Sequence, residues 1–386
     1  MILFFSDIPW GALYQRPQHL ARRLSVAERV LWVEPATLGR RVHLSPEELL
    51  PGLYRITLPA LPLNARNRWV RIAARFLSRF RPVHELVFLL QAFLLRRGRR
   101  RVEEGGDLLT CLVENFQMIA LVQRLSPSRM LFDYIDDAFG FTDYPPVVLA
   151  WWRETIRTAD VFTATSPTLA GRLVGEGAKS VRIIPNGVEY ARFEAARGSS
   201  RPADLPPAGS PLVAYIGSLY PWIDFPLLFT LVRDAPEIHL LLLGHVHPEV
   251  RGEIERLCRH PHVHFLGLRS HESIPAYLTH ADAGIVPFRR TRLTEGVNPV
   301  KMYEYSAAGM MTVATDFSDD TRLFAPPVLI ARTPREFVEH CRTAITRRRD
   351  PASMEDLRRF ARENDWDIRA GEFAELLHPS SQDPTS

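Results

Sequence analysis

Residues 294–316 read TEGVNPVKMYEYSAAGMMTVATD, and the fold assignment turns on this stretch. It predicts a loop, then a helix, then a buried strand. Asn298 and Pro299 suit the start of a helix. Met302, Tyr303, Ser306 and Ala307 recur at helical spacing, Gly309 suits the stop, and Met311–Ala314 is an apolar run of strand length. Lys301 and Glu304 therefore lie in the first turns of the helix, just after Val300. Free backbone N–H groups and the positive end of the dipole make such a terminus a site for phosphate. A carboxylate one turn further in can hold a pair of sugar hydroxyls. Phosphate and sugar together are what a nucleotide sugar presents.

Of the 48 basic residues only Lys179 and Lys301 are lysines. In so arginine-biased a chain, a lysine beside a helix start and Glu304 marks a position suited to a compact ammonium on a flexible stem. Chance retention is the plain alternative.

The segment resembles the donor-binding motif of retaining glycosyltransferases of the GT-B fold, family 4 and its relatives. In that pattern, Pro-x-Lys-x-x-Glu-x-x-Ala-x-Gly, the residues here are Pro299, Lys301, Glu304, Ala307 and Gly309. The resemblance implies that Glu304 holds the ribose and that another glutamate, earlier in the chain with seven residues between the two, reaches the donor sugar. That place falls on Gly296, with Glu295 one residue out of register, so the choice between Glu295 and Asn298 stays open. The implied architecture is α/β: GT-B, two Rossmann-like domains facing a central cleft.

A chain of 386 residues suits two domains of ordinary size, and 46% apolar with 24% charged residues is the balance of a soluble globular protein. Cys111, Cys258 and Cys341 are far apart with no CxxC pair. This argues against a zinc site and a disulfide framework, fits a reducing cytoplasm, and suggests packing roles. Met1 leads directly into the strand-like ILFF and acidic Asp7, so no secretory leader is expected.

Leu86–Leu95, the longest apolar stretch, is about half of the roughly 20 residues a membrane-spanning helix needs. Its flanks carry Arg71, Arg75, Arg79 and Arg81 on one side and Arg96, Arg97, Arg99, Arg100 and Arg101 on the other, around Trp69, Phe76, Phe80, Phe88 and Phe93. Residues 69–101 thus read either as a face for an anionic membrane surface or as core helices with a solvated basic rim. No nucleic-acid motif accompanies the charge, and no nucleic-acid partner is expected.

Along the first half, Ile2–Ser6, Val30–Val33, Tyr54–Leu58, Leu108–Val113, Met130–Ile135, Ala159–Ala164 and Val181–Ile184 read as strands. Pro17 opens a helix bearing Gln18, His19 and Leu20. Trp10 and Gln15–Leu20 resemble the start of a subset of polysaccharide-related glycosyltransferases, which implies that Arg16 and His19 face the cleft; a core histidine is the alternative for His19. Ligands gather beyond strand C-termini in open α/β sheets, which makes Glu114, Asn115, Asp136 and Asp137 candidates, with Asp136 and Asp137 the catalytic ones. A helix cap and a turn are the plain reading of the pair. The resemblance would place a histidine-containing pair there instead. Pro185–Val188 resembles the family's hinge-side turn, and Arg197–Ser210, rich in Gly, Ser, Pro and Ala, reads as a linker.

The second half opens with the strand Leu212–Ile216 and the small residues Gly217 and Ser218, which let a backbone approach phosphate. Where the family commonly carries Arg and Lys, this chain has Trp222 and Asp224. Phosphate neutralisation then rests on helix termini, Lys301 and Arg289 or Arg290. His239–Leu243, Val263–Leu266 and Ala281–Pro287 are further strands, and the resemblance sets Leu268 against the nucleotide base. The expected division is 1–196 for an acceptor-side domain, 197–210 for the linker and 211–360 for the nucleotide-sugar domain. A closing helix over 361–378, containing Trp366, crosses back to the first domain, and 379–386 is a disordered tail.

The reading implied is a glycosyltransferase moving a sugar from a nucleoside diphosphate donor to an acceptor hydroxyl, with retention, in cell-surface polysaccharide or glycolipid synthesis. The donor residues would be Gly217, Ser218, Leu268, Glu295, Asn298, Val300 and Glu304, with Lys301 stabilising the leaving diphosphate. No Asp-x-Asp metal motif stands in a suitable place, so neither metal nor cofactor is expected. The acceptor is unnamed, lipid-linked or glycan, and the setting is the cytoplasm, with peripheral attachment to the inner membrane face left open. The rivals are a nucleotide-sugar epimerase and a non-catalytic scaffold that binds a sugar nucleotide or a membrane surface.

Overall fold

The structure is a computed structural model that describes residues 1–378 apart from 7, 13, 36–42, 62–66, 78–79, 104–107, 142–143, 145, 325–326 and 349. The expected tail and Asp7 and Arg79 lie outside the described residues, as do the side chains of Arg71, Arg75 and Arg81. The chain divides into two compact units, Met1–Ile135 with Phe141–Ile184 and Arg369–Ser386, and Asp136–Gly140 with Pro185–Ile368.

In the first unit, β1 (Ile2–Phe5), β2 (Val30–Pro35), β3 (Glu47–Leu50), β4 (Leu53–Leu58), β5 (Thr110–Val113), β6 (Arg129–Tyr134), β7 (Val161–Ala164) and β8 (Val181–Ile183) form one sheet in the order β3-β4-β2-β1-β5-β6-β7-β8. Every pairing is parallel except β3 with β4. The central strands are apolar throughout because helices cover both of their faces; ILFF of β1 is wholly buried. Phe4, Leu20, Leu24, Trp32 and, from the C-terminal helix Trp366–Leu377, Phe373 and Leu377 share one core. The sequence reading missed β3. Glu47, Glu48 and Leu50 are largely exposed and carry no alternation, and the strand exists because Gly52, at φ +78°, turns the chain back onto β4.

In the second unit, β9 (Leu212–Ile216), β10 (His239–Leu243), β11 (Val263–Gly267), β12 (Ala283–Val286), β13 (Met311–Thr315) and β14 (Val328–Ala331) form a six-stranded, all-parallel sheet ordered β11-β10-β9-β12-β13-β14. This is the doubly wound order, with its reversal between β9 and β12, where a crevice opens beyond the strand C-termini. Pro185–Ala196, expected to close the first domain, belongs to this unit: Val188 and Phe193 lie in its core. The expected linker is also anchored here. Leu205 is buried in the same core, and Asp204 accepts from Arg269 Nη2 at 2.7 Å and Tyr277 Oη at 3.0 Å. Cys111 and Cys341 pack in cores as expected, but Cys258 is exposed.

Candidate functional site

The crevice is held open by a side chain. Strands β9 and β12 pair only at Val213↔Ala283 and Ala214↔Gly284. Beyond that point the Tyr305 hydroxyl stands between them, accepting from Ile216 N–H at 3.1 Å and donating to the Ile285 carbonyl at 3.3 Å. Gly284 makes the room, since a Cβ there would lie 2.1 Å from the Tyr305 ring. Tyr305 comes from the middle of the helix Val300–Ala307, so one residue fixes both the splay of the strands and the seat of the helix.

On that seat Lys301 and Glu304 occupy the first turns of the helix, as the sequence predicts. The Lys301 ammonium lies over two aromatic faces, 4.8 Å from the centre of Phe288 and 5.2 Å from that of Tyr215. A Cβ placed on Gly217 would sit 3.5 Å from its Nζ, an ordinary contact distance, so the ammonium stands directly against the β9 exit, where φ +116° calls for glycine. Among the described residues no hydrogen bond or ion pair holds it. Part of Lys301 remains open to solvent, yet the surrounding protein strips enough water to push its pKa down to about 8, against the opposing pull of Glu304. A cation set on ring faces, with no carboxylate bonded to it, is arranged to receive an anion from outside the chain.

Glu304, half-buried, has its carboxyl pushed above the usual range by burial, while His271, Lys301 and Arg192 pull the other way. His271 and Arg192 both reach Glu189, at 3.3 and 2.6 Å. Sequence reasoning missed Glu189, Arg192, His271, Tyr215, Phe288 and Tyr305. The only available signal was that Tyr215 lies two residues before Gly217 on a strand and so shares its side.

The remaining expected residues separate into two groups. At the site are Gly217 and Ser218, whose loop is pinned by Tyr215 Oη donating to the Ser218 carbonyl at 3.0 Å, and Val300, first residue of the helix. Glu295 accepts from Arg290 Nε at 3.2 Å, and Arg290 also meets Asp319 at 2.9 Å. Arg289 is exposed where β12 ends, its N–H bonded to the Trp222 carbonyl, and Leu268 stands 60% exposed just after β11. Others already have protein partners. Asn298 Oδ1 accepts from Asn186 N–H at 2.8 Å and Tyr303 Oη at 3.1 Å, which ties the Pro185–Val188 turn to the loop before the helix Val300–Ala307. Asp137 is buried, caps the short helix Ala138–Phe141 and binds Arg292 Nε at 2.8 Å; its neighbour Asp136 is half-buried. Arg16 is buried in the first unit, bound through two nitrogens to Asp133 at 2.8 and 3.1 Å. His19 is buried nearby with its ring edge-on to Tyr14. At the positions where the resemblance leads one to expect basic residues, Trp222 stacks on Tyr220 at 4.4 Å and Asp224 caps the helix Phe225–Asp234.

Residues 210–347 match the family model described as "Glycosyl transferases group 1". The matched residues all lie in the second unit. TuaH of Bacillus subtilis, named as a glycosyltransferase of teichuronic acid biosynthesis, is 26% identical over 217 residues. The match covers 55% of this chain and 55% of that protein, so it spans about half the relative's length. Among solved structures, sucrose-phosphate synthase from Thermosynechococcus elongatus superposes with a TM-score of 0.72 at 18% identity, over 97% of each chain. HepE of Anabaena, in complex with UDP-glucose, gives 0.61 at 15% identity, covering 97% of this chain and 98% of that one. These likenesses show the fold, which is GT-B with two Rossmann-like domains. Tyr305, Lys301 and Gly217 lie within the matched residues.

Proposed function

We propose that this protein is a glycosyltransferase that moves a sugar from a nucleoside diphosphate sugar to an acceptor hydroxyl in cell-surface polysaccharide or glycolipid synthesis. The observation that carries the reading is the Lys301 ammonium, poised on Tyr215 and Phe288 beside Gly217 with no described carboxylate bonded to it. As the bond between the anomeric carbon and the diphosphate breaks, negative charge collects on the leaving oxygens. A fixed cation in a partly dehydrated site, aided by the free N–H groups at the start of the helix, stabilises that charge more in the transition state than in the ground state. In this proposal Glu304, one turn on, accepts from ribose hydroxyls, and the sugar is transferred with retention of configuration.

The UDP-glucose of HepE makes uridine diphosphate sugars the first donors to try. The relative in teichuronic acid synthesis directs the acceptor search to lipid-linked and glycan hydroxyls. The test is nucleotide release from a panel of nucleotide sugars, with and without a glycan or glycolipid acceptor, followed by NMR of the product's anomeric centre. Acceptor-dependent release with a retained anomer supports the reading. Release of an altered free sugar without acceptor means an epimerase. Turnover needs no divalent ion in this proposal, because Lys301 supplies the positive charge. Activity lost in EDTA and restored by Mg²⁺ refutes that part alone.

A further inference from the structure

Far from the donor residues in sequence, two helices of the first unit leave large apolar side chains uncovered. The helix Arg81–Val102 is about 33 Å long and apolar on two opposite sides. One side, Phe88, Ala92 and Leu95 with Gly98 against Ile56, is buried in the unit. The other follows the steps of four and three residues that keep to one face, Leu86, Leu90, Phe93, Arg97 and Arg100, with Leu89 beside it. Leu86 is 70% exposed, Phe93 61% and Leu89 58%. A helix with apolar residues on both sides is normally covered on both.

The shorter helix Arg68–Leu77 repeats the theme. Trp69, 73% exposed, with Ile72 and Phe76 forms a stripe at helical spacing, and Phe76 meets Phe80, at the start of the longer helix, at 5.2 Å. Patches of this kind mark a partner surface.

Charge identifies the partner. Between residues 67 and 102 the sequence holds ten arginines and one acidic residue, Glu85, whereas the whole chain is only +4. Glu85 is itself paired with Arg124. A second copy of the chain is a poor occupant, since a two-fold contact sets the same patch against itself and would bring the two arginine sets together. An anionic bilayer satisfies both features: acyl chains take Leu and Phe, the interface takes Trp, and phosphate takes arginine. No helix of the described residues is long and apolar enough to cross a membrane, and the exposed arginines that close the longer helix, Arg96, Arg97, Arg100 and Arg101, suit one lying on it. We propose that the open faces of Arg68–Leu77 and Arg81–Val102 dock on an anionic phospholipid surface.

The proposal stands apart from the donor chemistry, and co-sedimentation tests it with phosphatidylcholine vesicles lacking or containing phosphatidylglycerol. The full chain is expected to sediment with the anionic vesicles only, and less so as salt rises. Leu89→Glu with Phe93→Glu should abolish this. Arg97→Ala with Arg100→Ala should weaken it at least about tenfold, each basic group near such a surface being worth roughly fivefold. Circular dichroism melts verify that these exposed replacements leave the fold intact. Equal binding to both vesicle types, or no binding by folded protein, overturns the proposal. So does vesicle binding that neither pair affects, or a solution dimer that Leu89→Glu dissociates without any vesicle binding.

Discussion

Replacing Lys301 with Met separates the cost of holding a charge in this site from its use. Met keeps an aliphatic stem over Tyr215 and Phe288 while removing the ammonium. Burial lowers the Lys301 pKa from 10.5 to about 8. At about 1.4 kcal/mol per unit, that is a penalty of roughly 3.5 kcal/mol for the charged form in the folded state before any screening. Partial exposure screens some of it, and the two ring faces return about 0.5–1 kcal/mol each. The variant without ligand should therefore be more stable than the parent by about 1–2 kcal/mol at neutral pH, or roughly 2–8 °C for a domain of this size.

The pH dependence gives the sign. Below about 8 both folded and unfolded parent carry the proton, and the penalty is fully present. Between about 8 and 10.5 the folded parent binds fewer protons than the unfolded chain, so its stability rises with pH. The advantage of Met should thus be largest below pH 8 and vanish as pH climbs through 10.5. The assay is a melting curve at several pH values, repeated with UDP. Losing a charge-assisted bond should weaken UDP by about 10- to 100-fold, and turnover should fall about 10²-fold or more. A Met variant less stable than the parent at neutral pH, or one that keeps its full response to UDP, refutes the account of Lys301.

Three other substitutions probe the frame. Tyr305→Phe leaves the buried Ile216 N–H and Ile285 carbonyl without their hydroxyl; urea unfolding should show a loss of about 1–3 kcal/mol, with a raised donor KM as the Gly217 loop shifts. Asn298→Ala removes the single acceptor of Asn186 N–H and Tyr303 Oη and should cost about 2–3 kcal/mol, whereas Asn298→Asp, which keeps that oxygen, should recover most of it. Arg16→Met strands the buried Asp133 and should cost about 3–5 kcal/mol of stability in the first unit while leaving UDP affinity unchanged; a specific loss of UDP binding would refute this purely structural role for Arg16.

The legible part of this molecule is the part whose cause is local. Parallel strands buried on both faces are apolar runs in any protein of this class, so β1, β9, β10 and β13 could be placed from composition alone. The Lys301–Glu304 spacing was legible because a helix start and its next turn lie within a few residues of sequence. Strand β14 was obscured in the sequence by the Ala325-Pro326-Pro327 that leads into it and reads as loop, and β3 depends on a glycine turn rather than on its own pattern.

What escaped the sequence is long-range pairing, and it changes how polar residues should be read. Arg16, Asp137 and Asn298 carry the residue types a site needs, but each meets its partner more than 100 positions away: Asp133, Arg292 and Asn186. Lys301 differs from them in having no such partner among the described residues, and nothing in its own neighbourhood of sequence announces that. The separating property is whether the fold supplies a counter-charge. Tyr305 makes the same point from the other side. Its spacing marks it as a helix residue, but its function is to keep β9 and β12 from zipping together, and that becomes visible only once Ile216 and Ile285, 89 and 20 positions away, are bonded to one hydroxyl. A crevice is a place where pairing fails. The residue that makes it fail is as much a part of the site as the residue that meets the ligand.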